Sequence, residues 1–181
     1  GYEPGDNVVN LFVMGPLVPE AVAGAEQLLE RGIFANVIVV SSPELLLGIL
    51  GENSGYEHLT QTFGVTGDLH ATESAGASQA GLVSIAGRRV PAVAIVDGEA
   101  GLLDNIGSIV GVKQRTQAVR KFSKCGRPSQ IYKYHHLDAD SIVEAAGQVL
   151  SETALENLQV SPGLLERLAG GNASARPNWR E

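Results

Sequence analysis

The sequence has a single cysteine, Cys125, which excludes an internal disulfide. It has no apolar run near the roughly 18 residues of a membrane-spanning helix, and no charged-then-apolar signal opens it. Basic residues are too few to balance the acidic ones, and the net charge of −7 argues against a broad nucleic-acid surface. We therefore expect no nucleic-acid partner, no membrane partner and a cytoplasmic location.

Apolar residues are plentiful enough for a single core. They make up 44% of the 181 residues, which suits one domain of ordinary size. We divide the chain into an α/β domain over 1–155 and a short helix with a flexible tail over 156–181. Because the chain begins at Gly1 rather than at a methionine, we expect it to be a piece of a longer protein.

Strand and helix patterns alternate at the start of the chain. The run NVVNLFVM at 7–14 is nearly continuous in apolar residues, which is typical of a strand covered on both faces. A helix with one apolar stripe is predicted to begin near Pro19 and to end at Gly32. A strand over 36–40 and a short helix through Leu50 follow.

The alternation returns after an irregular stretch at 51–80, which is a functional loop or contains elements that the pattern does not show. The run VPAVAIVD at 90–97 is the strongest strand prediction, and 113–124 is a more polar strand nearer an edge. A helix is predicted within 98–111, and a long one after Asp138 or Asp140. This order predicts an open three-layer α/β fold, with a mostly parallel sheet and helices on both faces.

The stretch SKCGRPSQIYKYHHL at 123–137 invites a chemical interpretation. A metal site is poorly supported, because the adjacent His135 and His136 would point in different directions on either a helix or a strand. Both histidines at the C-terminal end of a short helix, next to its dipole, are the favoured alternative. Cys125 as a nucleophile is also disfavoured, since a lone cysteine is usually a small buried residue.

Two other features could bind a ligand. Gly15 and Gly126 lie at strand-to-helix junctions, which are natural anion sites, but neither is part of a dinucleotide or P-loop motif. Asp97, Glu99 and Asp104 follow the best strand, where open α/β sheets place their sites and where helix-capping acids also lie. The capping interpretation is favoured for these acids, and a backbone role for the glycines.

Two segments resemble the C-terminal domain of the transketolase superfamily of thiamin-diphosphate enzymes, and within it most closely the homodimeric first component of pyruvate dehydrogenase. VPAVAIVDGEAGLLDNI places Asp97 where that family has a strand running into an aspartate. CGRPSQIYKYHHLDADSIVEAA matches Gly126 and Arg127 to the family's Gly-Arg-Ser turn and Leu137 to its apolar anchor. The resemblance covers roughly 7–155, although the family's Asp-Gly-Phe-Gly approach to the turn is absent.

The resemblance implies a supporting role. In this family two other domains bind thiamin diphosphate and magnesium, so we expect no catalytic, cofactor-binding or metal residue in this chain, and no activity from the chain alone. The resemblance implies the other domains or a separate subunit as partners in a homodimer, with 2-oxo acid decarboxylation ahead of ketol transfer. The resemblance also implies that some loops of this domain approach the active-site entrance. The candidate loop residues in this chain are Asp97, Glu99, Gly126, Arg127, His135 and His136.

Two alternatives to this role stay open. The chain could be a free-standing regulatory module that binds a small ligand or a nucleotide, which the two glycine turns and the α/β pattern favour. It could also be a purely structural oligomerisation domain.

Overall fold

The computed structural model describes residues 7–47, Leu59 and 90–159. Within these residues a four-stranded, fully parallel sheet has the order β2-β1-β3-β4. The strands are β1 Val8–Met14, β2 Phe34–Val40, β3 Ala92–Ile95 and β4 Gln114–Gln117. The helices are α1 Val18–Glu30, α2 Pro43–Leu46, α3 Ile106–Val110, α4 Pro128–His135 and α5 Ala139–Gln159.

The central strand β1 separates two apolar cores, because its successive side chains point to opposite faces of the sheet. Val9, Leu11 and Val13 pack with buried residues of α1 and α5. Phe12 belongs to the other core, together with residues of α2 and α3 and the buried Leu59. Helices therefore cover both faces, which confirms the predicted three-layer α/β fold.

Helices α1 and α5 pack closely on the first of these faces. A Cβ on Gly24 would lie 3.3 Å from Cγ2 of Ile142, so the absence of a side chain lets the helices approach. The first N–H of α5, at Ala139, donates to Oε2 of Glu20 at 3.0 Å. Asp138, one of the two predicted caps, instead accepts the hydroxyl of Ser141 through its side chain at 2.6 Å. The start of α5 is thus capped by a carboxylate from another helix.

We expect Glu20→Ala to lower the free energy of unfolding by about 1 kcal/mol, the usual cost of losing a helix cap. The loss has two causes: Ala139 N–H loses its acceptor, and the N-terminal dipole of α5 loses a nearby negative charge. Urea unfolding followed by circular dichroism measures this change. Glu26→Ala removes an exposed acid from the same helix and should change stability far less. Equal losses in the two variants would contradict the capping role.

Several predicted boundaries need correction. The strand predicted over 113–124 is wrong in extent: β4 ends at Gln117, because β3 ends at Ile95 and offers no further ladder. The predicted helix within 98–111 is confirmed, but as a 3-10 turn followed by the short α3. Helix α5 runs past the proposed domain limit at 155, and that division stays a prediction.

Other predictions lie outside the described residues. These are the loop at 51–80 apart from Leu59, the end of the helix predicted through Leu50, and the short helix and tail within 160–181.

Candidate functional site

A groove of about 390 Å³ lies where β4 meets α4 and α5. Strand β4 is the last strand of the described sheet on this side, and its four residues are all half-buried and polar. Apolar side chains would be expected in a strand covered on both faces. The polar sequence of β4 is therefore suited to a strand that borders a polar groove.

Cationic and imidazole side chains dominate the groove lining. Those that contribute are Arg115, Arg120, Lys121, His135 and His136. Uncharged polar groups come from Gln117, Ser141 and Gln148, and Glu144 is the one acid among the described lining residues. A second groove of about 460 Å³ continues along β4 and shares Arg115, Gln117, Arg120 and Gln148 with the first. The two grooves are therefore adjacent along β4.

Two residues that line the groove each have a buried nitrogen atom without a hydrogen-bond partner among the described residues. His135 is only 5% exposed; its Nε2 pairs with Oγ of Ser123 at 3.0 Å, while its Nδ1 has no partner. Arg115 forms an ion pair with Glu152, yet its Nε is buried and also lacks a partner. Buried polar atoms are nearly always paired, by protein, water or ligand. Both nitrogen atoms can therefore make one more hydrogen bond.

The exposed segment 121–124 is attached to α4 mainly through the ring of Tyr134. The Nζ atoms of Lys121 and Lys124 lie 3.8 and 4.0 Å from the centre of that ring. The two cation–π contacts and the hydrogen bond between Ser123 and His135 fasten this exposed segment to the helix. They also keep the positive charge of Lys121 at the groove.

His136 has an unusual backbone conformation. It ends α4 with φ of 59°, and no other non-glycine residue among those described has a positive φ. Helices usually place glycine at this position, because a Cβ is costly in the left-handed region. The exposed His136 side chain instead lines the groove.

The structure brings together only some of the predicted site residues. His135 and His136 both lie at the C-terminal end of α4, as predicted, and both line the groove. Gly126 and Arg127 are exposed at the other end of that helix, and Cys125 beside them is a free, exposed thiol. The proximity of the histidines to the groove was not predicted.

The acids after β3 do not join this group. Asp97 and Glu99 are exposed, and neither lines the groove. The capping prediction is wrong for Glu99, which precedes the 3-10 turn but makes no side-chain cap bond. Asp104 accepts the hydroxyl of Thr116 at 2.5 Å, so it ties the loop to β4. Nowhere in residues 7–47, Leu59 and 90–159 do three or more His, Cys, Asp or Glu side chains converge to hold a metal ion.

Arg115, Arg120 and Lys121 were missed as site residues, although the sequence contains a signal for them. Seven of the thirteen Lys and Arg residues fall within 105–137, and none of the twenty Asp and Glu residues does. A net charge averaged over the whole chain hides this segment.

Comparisons with known proteins concern the fold. No protein-family model and no curated protein matches the sequence. A transketolase from Pichia Stipitis in complex with xylulose-5-phosphate has a TM-score of 0.52 and 12% identity, over 83% of this chain and 17% of that one. An inactive β4 tetramer of a split-gene transketolase has a TM-score of 0.51 and 17% identity, over 83% of this chain and 44% of that one.

Another structure of transketolase from Pichia Stipitis, in complex with sedoheptulose-7-phosphate, has a TM-score of 0.50 at 13% identity. At these identities the likeness establishes a transketolase-like α/β fold. The chain spans less than half the length of these transketolase chains. None of the described helices is long and apolar enough to cross a lipid bilayer.

Proposed function

We propose that this chain is the C-terminal domain, or a separate subunit, of a thiamin-diphosphate-dependent enzyme of the transketolase type. In that enzyme it supports folding and dimer assembly and does not carry the reacting centre. The observation that carries the proposal is the transketolase-like fold over 83% of this chain, which corresponds to 17% of a transketolase chain. The split-gene transketolase, of which the chain covers 44%, supports a separate subunit as one form.

We place the magnesium ion that accompanies the cofactor's diphosphate outside this chain. Magnesium needs an octahedral set of oxygen ligands, usually one or two carboxylates together with water and phosphate oxygens. Among the described residues, no three His, Cys, Asp or Glu side chains converge on one point. Thiamin diphosphate provides an electron sink for carbanion chemistry, and we assign its binding to other domains or to a partner subunit.

We propose that the surface that contacts those partners lies next to the turn at Gly126 and Arg127. Phe122 is 96% exposed, and Lys121, Lys124 and Tyr134 hold its neighbours in place. A large exposed ring on a fixed segment is typical of residues that become buried when proteins associate. This segment leads directly into Gly126 and Arg127.

Ketol transfer is the reaction that we propose for the assembled enzyme, because the structures with similar folds are transketolases. The sequence resemblance favours 2-oxo acid decarboxylation instead, through the match of the Gly126-Arg127 turn and the Leu137 anchor. Both reactions need the same cofactor, so both predict the same kind of partner.

We expect the 181-residue chain alone to show no magnesium-dependent binding of thiamin diphosphate and no turnover of sugar phosphates or 2-oxo acids. Calorimetry with the cofactor, in magnesium and then in EDTA, measures the first. Activity should appear only when the chain joins the protein that carries the cofactor motif. Tight, magnesium-dependent binding to the chain alone would refute the proposal. In that complex we expect turnover of sugar phosphates by ketol transfer, and no decarboxylation of 2-oxo acids.

A further inference from the structure

Positive charge is concentrated in one segment of an acidic chain. Outside 105–137 the chain has six basic and twenty acidic residues, whereas that segment has seven basic and no acidic ones. Three of the seven, Arg115, Arg120 and Lys121, line the grooved edge beside β4. Charges of one sign around a concave surface raise the local concentration of ligands of the opposite sign. The groove can therefore attract anions.

Groups for binding an anion are available in the groove. Arg120 is exposed and donates one hydrogen bond, from Nη2 to the carbonyl oxygen of Thr116 at 3.2 Å. A guanidinium carries five N–H donors, so it can bind a phosphate as well. The buried Nδ1 of His135 has no partner among the described residues, so this lining residue has hydrogen-bonding capacity to spare.

The acids near the groove offset only part of this charge. Glu152 is paired with Arg115. Glu144 accepts a hydrogen bond from the uncharged amide of Gln148 at 3.1 Å, so it keeps its charge and balances one of the two remaining cations. Neither Arg120 nor Lys121 has a carboxylate partner among the described ion pairs. The Nζ of Lys121 lies over the ring of Tyr134 instead. Positive charge is therefore in excess over negative charge at the end of the groove nearest α4.

The shape and lining of the groove limit the kind of anion. Its volume of about 390 Å³ is at the small end of the range for small-molecule sites. No Phe, Tyr or Trp belongs to the described lining, and the Tyr134 ring is occupied by two lysines. A nucleobase would thus find no stacking platform, whereas the amides of Gln117 and Gln148 can bind polar groups.

We propose that this groove binds a small phosphate or diphosphate ester without an aromatic base, through Arg120, Lys121 and the two histidines. The site is separate from the cofactor chemistry proposed above and does not depend on it. Ligand binding would explain why a histidine, and not a glycine, occupies position 136. Glycine would be more stable in this left-handed position, yet the imidazole lies at the groove.

The test uses the 181-residue chain in EDTA, with inorganic diphosphate as the probe and calorimetry as the measurement. We expect Arg120→Gln to weaken binding about tenfold, the usual cost of a lost charged hydrogen bond. Lys133→Gln removes an equal charge from the exposed part of α4, outside the groove, and should change the affinity little. Absence of binding, or equal weakening by the two variants, would overturn the proposal.

His136→Gly tests whether the histidine contributes to binding, and ADP as a second ligand tests whether the site accepts an aromatic base. This variant should raise the melting temperature of the ligand-free chain by a few degrees, as relief of about 1 kcal/mol predicts, and should weaken diphosphate binding. A purely structural histidine would give the first effect without the second. ADP should bind no tighter than diphosphate, whereas a large gain from the adenosine would contradict a site without a base platform. Because EDTA is present, none of these outcomes depends on magnesium-dependent cofactor binding.

Discussion

Gly107→Ala is expected to destabilise the chain by about 3 kcal/mol or more, at the upper end of the usual cost of overpacking. A Cβ at Gly107 would lie 2.5 Å from Cβ of Gln114 and 2.9 Å from the carbonyl oxygen of Val112. Real Cβ atoms essentially never approach this closely, so either α3 or β4 must move. Neither can move freely, because the Gly107 N–H donates to Oε1 of Gln114 at 2.5 Å.

The same glutamine makes the clash more costly. Nε2 of Gln114 donates to the carbonyl oxygen of Leu103 at 2.6 Å and to Oγ1 of Thr116 at 3.0 Å. Displacing its side chain would break hydrogen bonds to the loop before α3 and to β4 itself. Because β4 forms one wall of the groove, we expect Gly107→Ala to weaken diphosphate binding as well.

Gly147→Ala is the matched control for this substitution. Gly147 lies within α5, and a Cβ there would have nothing within 4 Å. Alanine should stabilise the helix by about 0.5–1 kcal/mol. Thermal and urea unfolding followed by circular dichroism compare the two variants, and a loss of less than 1 kcal/mol for Gly107→Ala would contradict the packing described here.

Leu137→Ala is expected to cost about 3 kcal/mol, within the range for truncating a buried leucine. Leu137 is 1% exposed and belongs to the core formed by β1, β3, α1 and α5. Its backbone N–H closes the end of α4 by donating to the carbonyl oxygen of Tyr132 at 2.8 Å. The truncation therefore leaves a cavity at the junction that positions both helices beside the groove.

The expected shift in melting temperature is about 6–12 °C, taking 2–4 °C per kcal/mol for a chain of this size. Leu29→Ala removes the same atoms from α1, where the side chain is 58% exposed, and should shift the midpoint far less. A similar shift for both leucines would argue against Leu137 as the anchor of the α4–α5 junction.

Much of the fold is predictable from local patterns. The runs at 7–14 and 90–97 become β1 and β3, because both are nearly continuous in apolar residues and are buried on two faces. The turn at Gly126 and Arg127 also precedes a helix, α4, which begins at Pro128, and the Leu137 matched to the family's anchor is buried.

The length of β4 could not be predicted from local patterns. Polar residues from 113 to 124 resemble an exposed edge strand throughout, but only Gln114–Gln117 has a partner strand in the sheet. The length of a strand depends on its neighbour, and β3 ends at Ile95. No property of residues 118–124 by themselves contains that information.

The sequence by itself determined the α/β class, the two-sided burial of the central strands and the turn that begins α4, because each follows from periodicity or from the backbone of a single residue. Only the tertiary structure decided that Arg115, Arg120 and Lys121 meet His135 and His136 in one groove. These residues lie on a strand, a loop and a helix end, and their distances depend on how α4 and α5 pack against β4. A site assembled from separate elements is a property of packing, which the local spacing of residues does not encode.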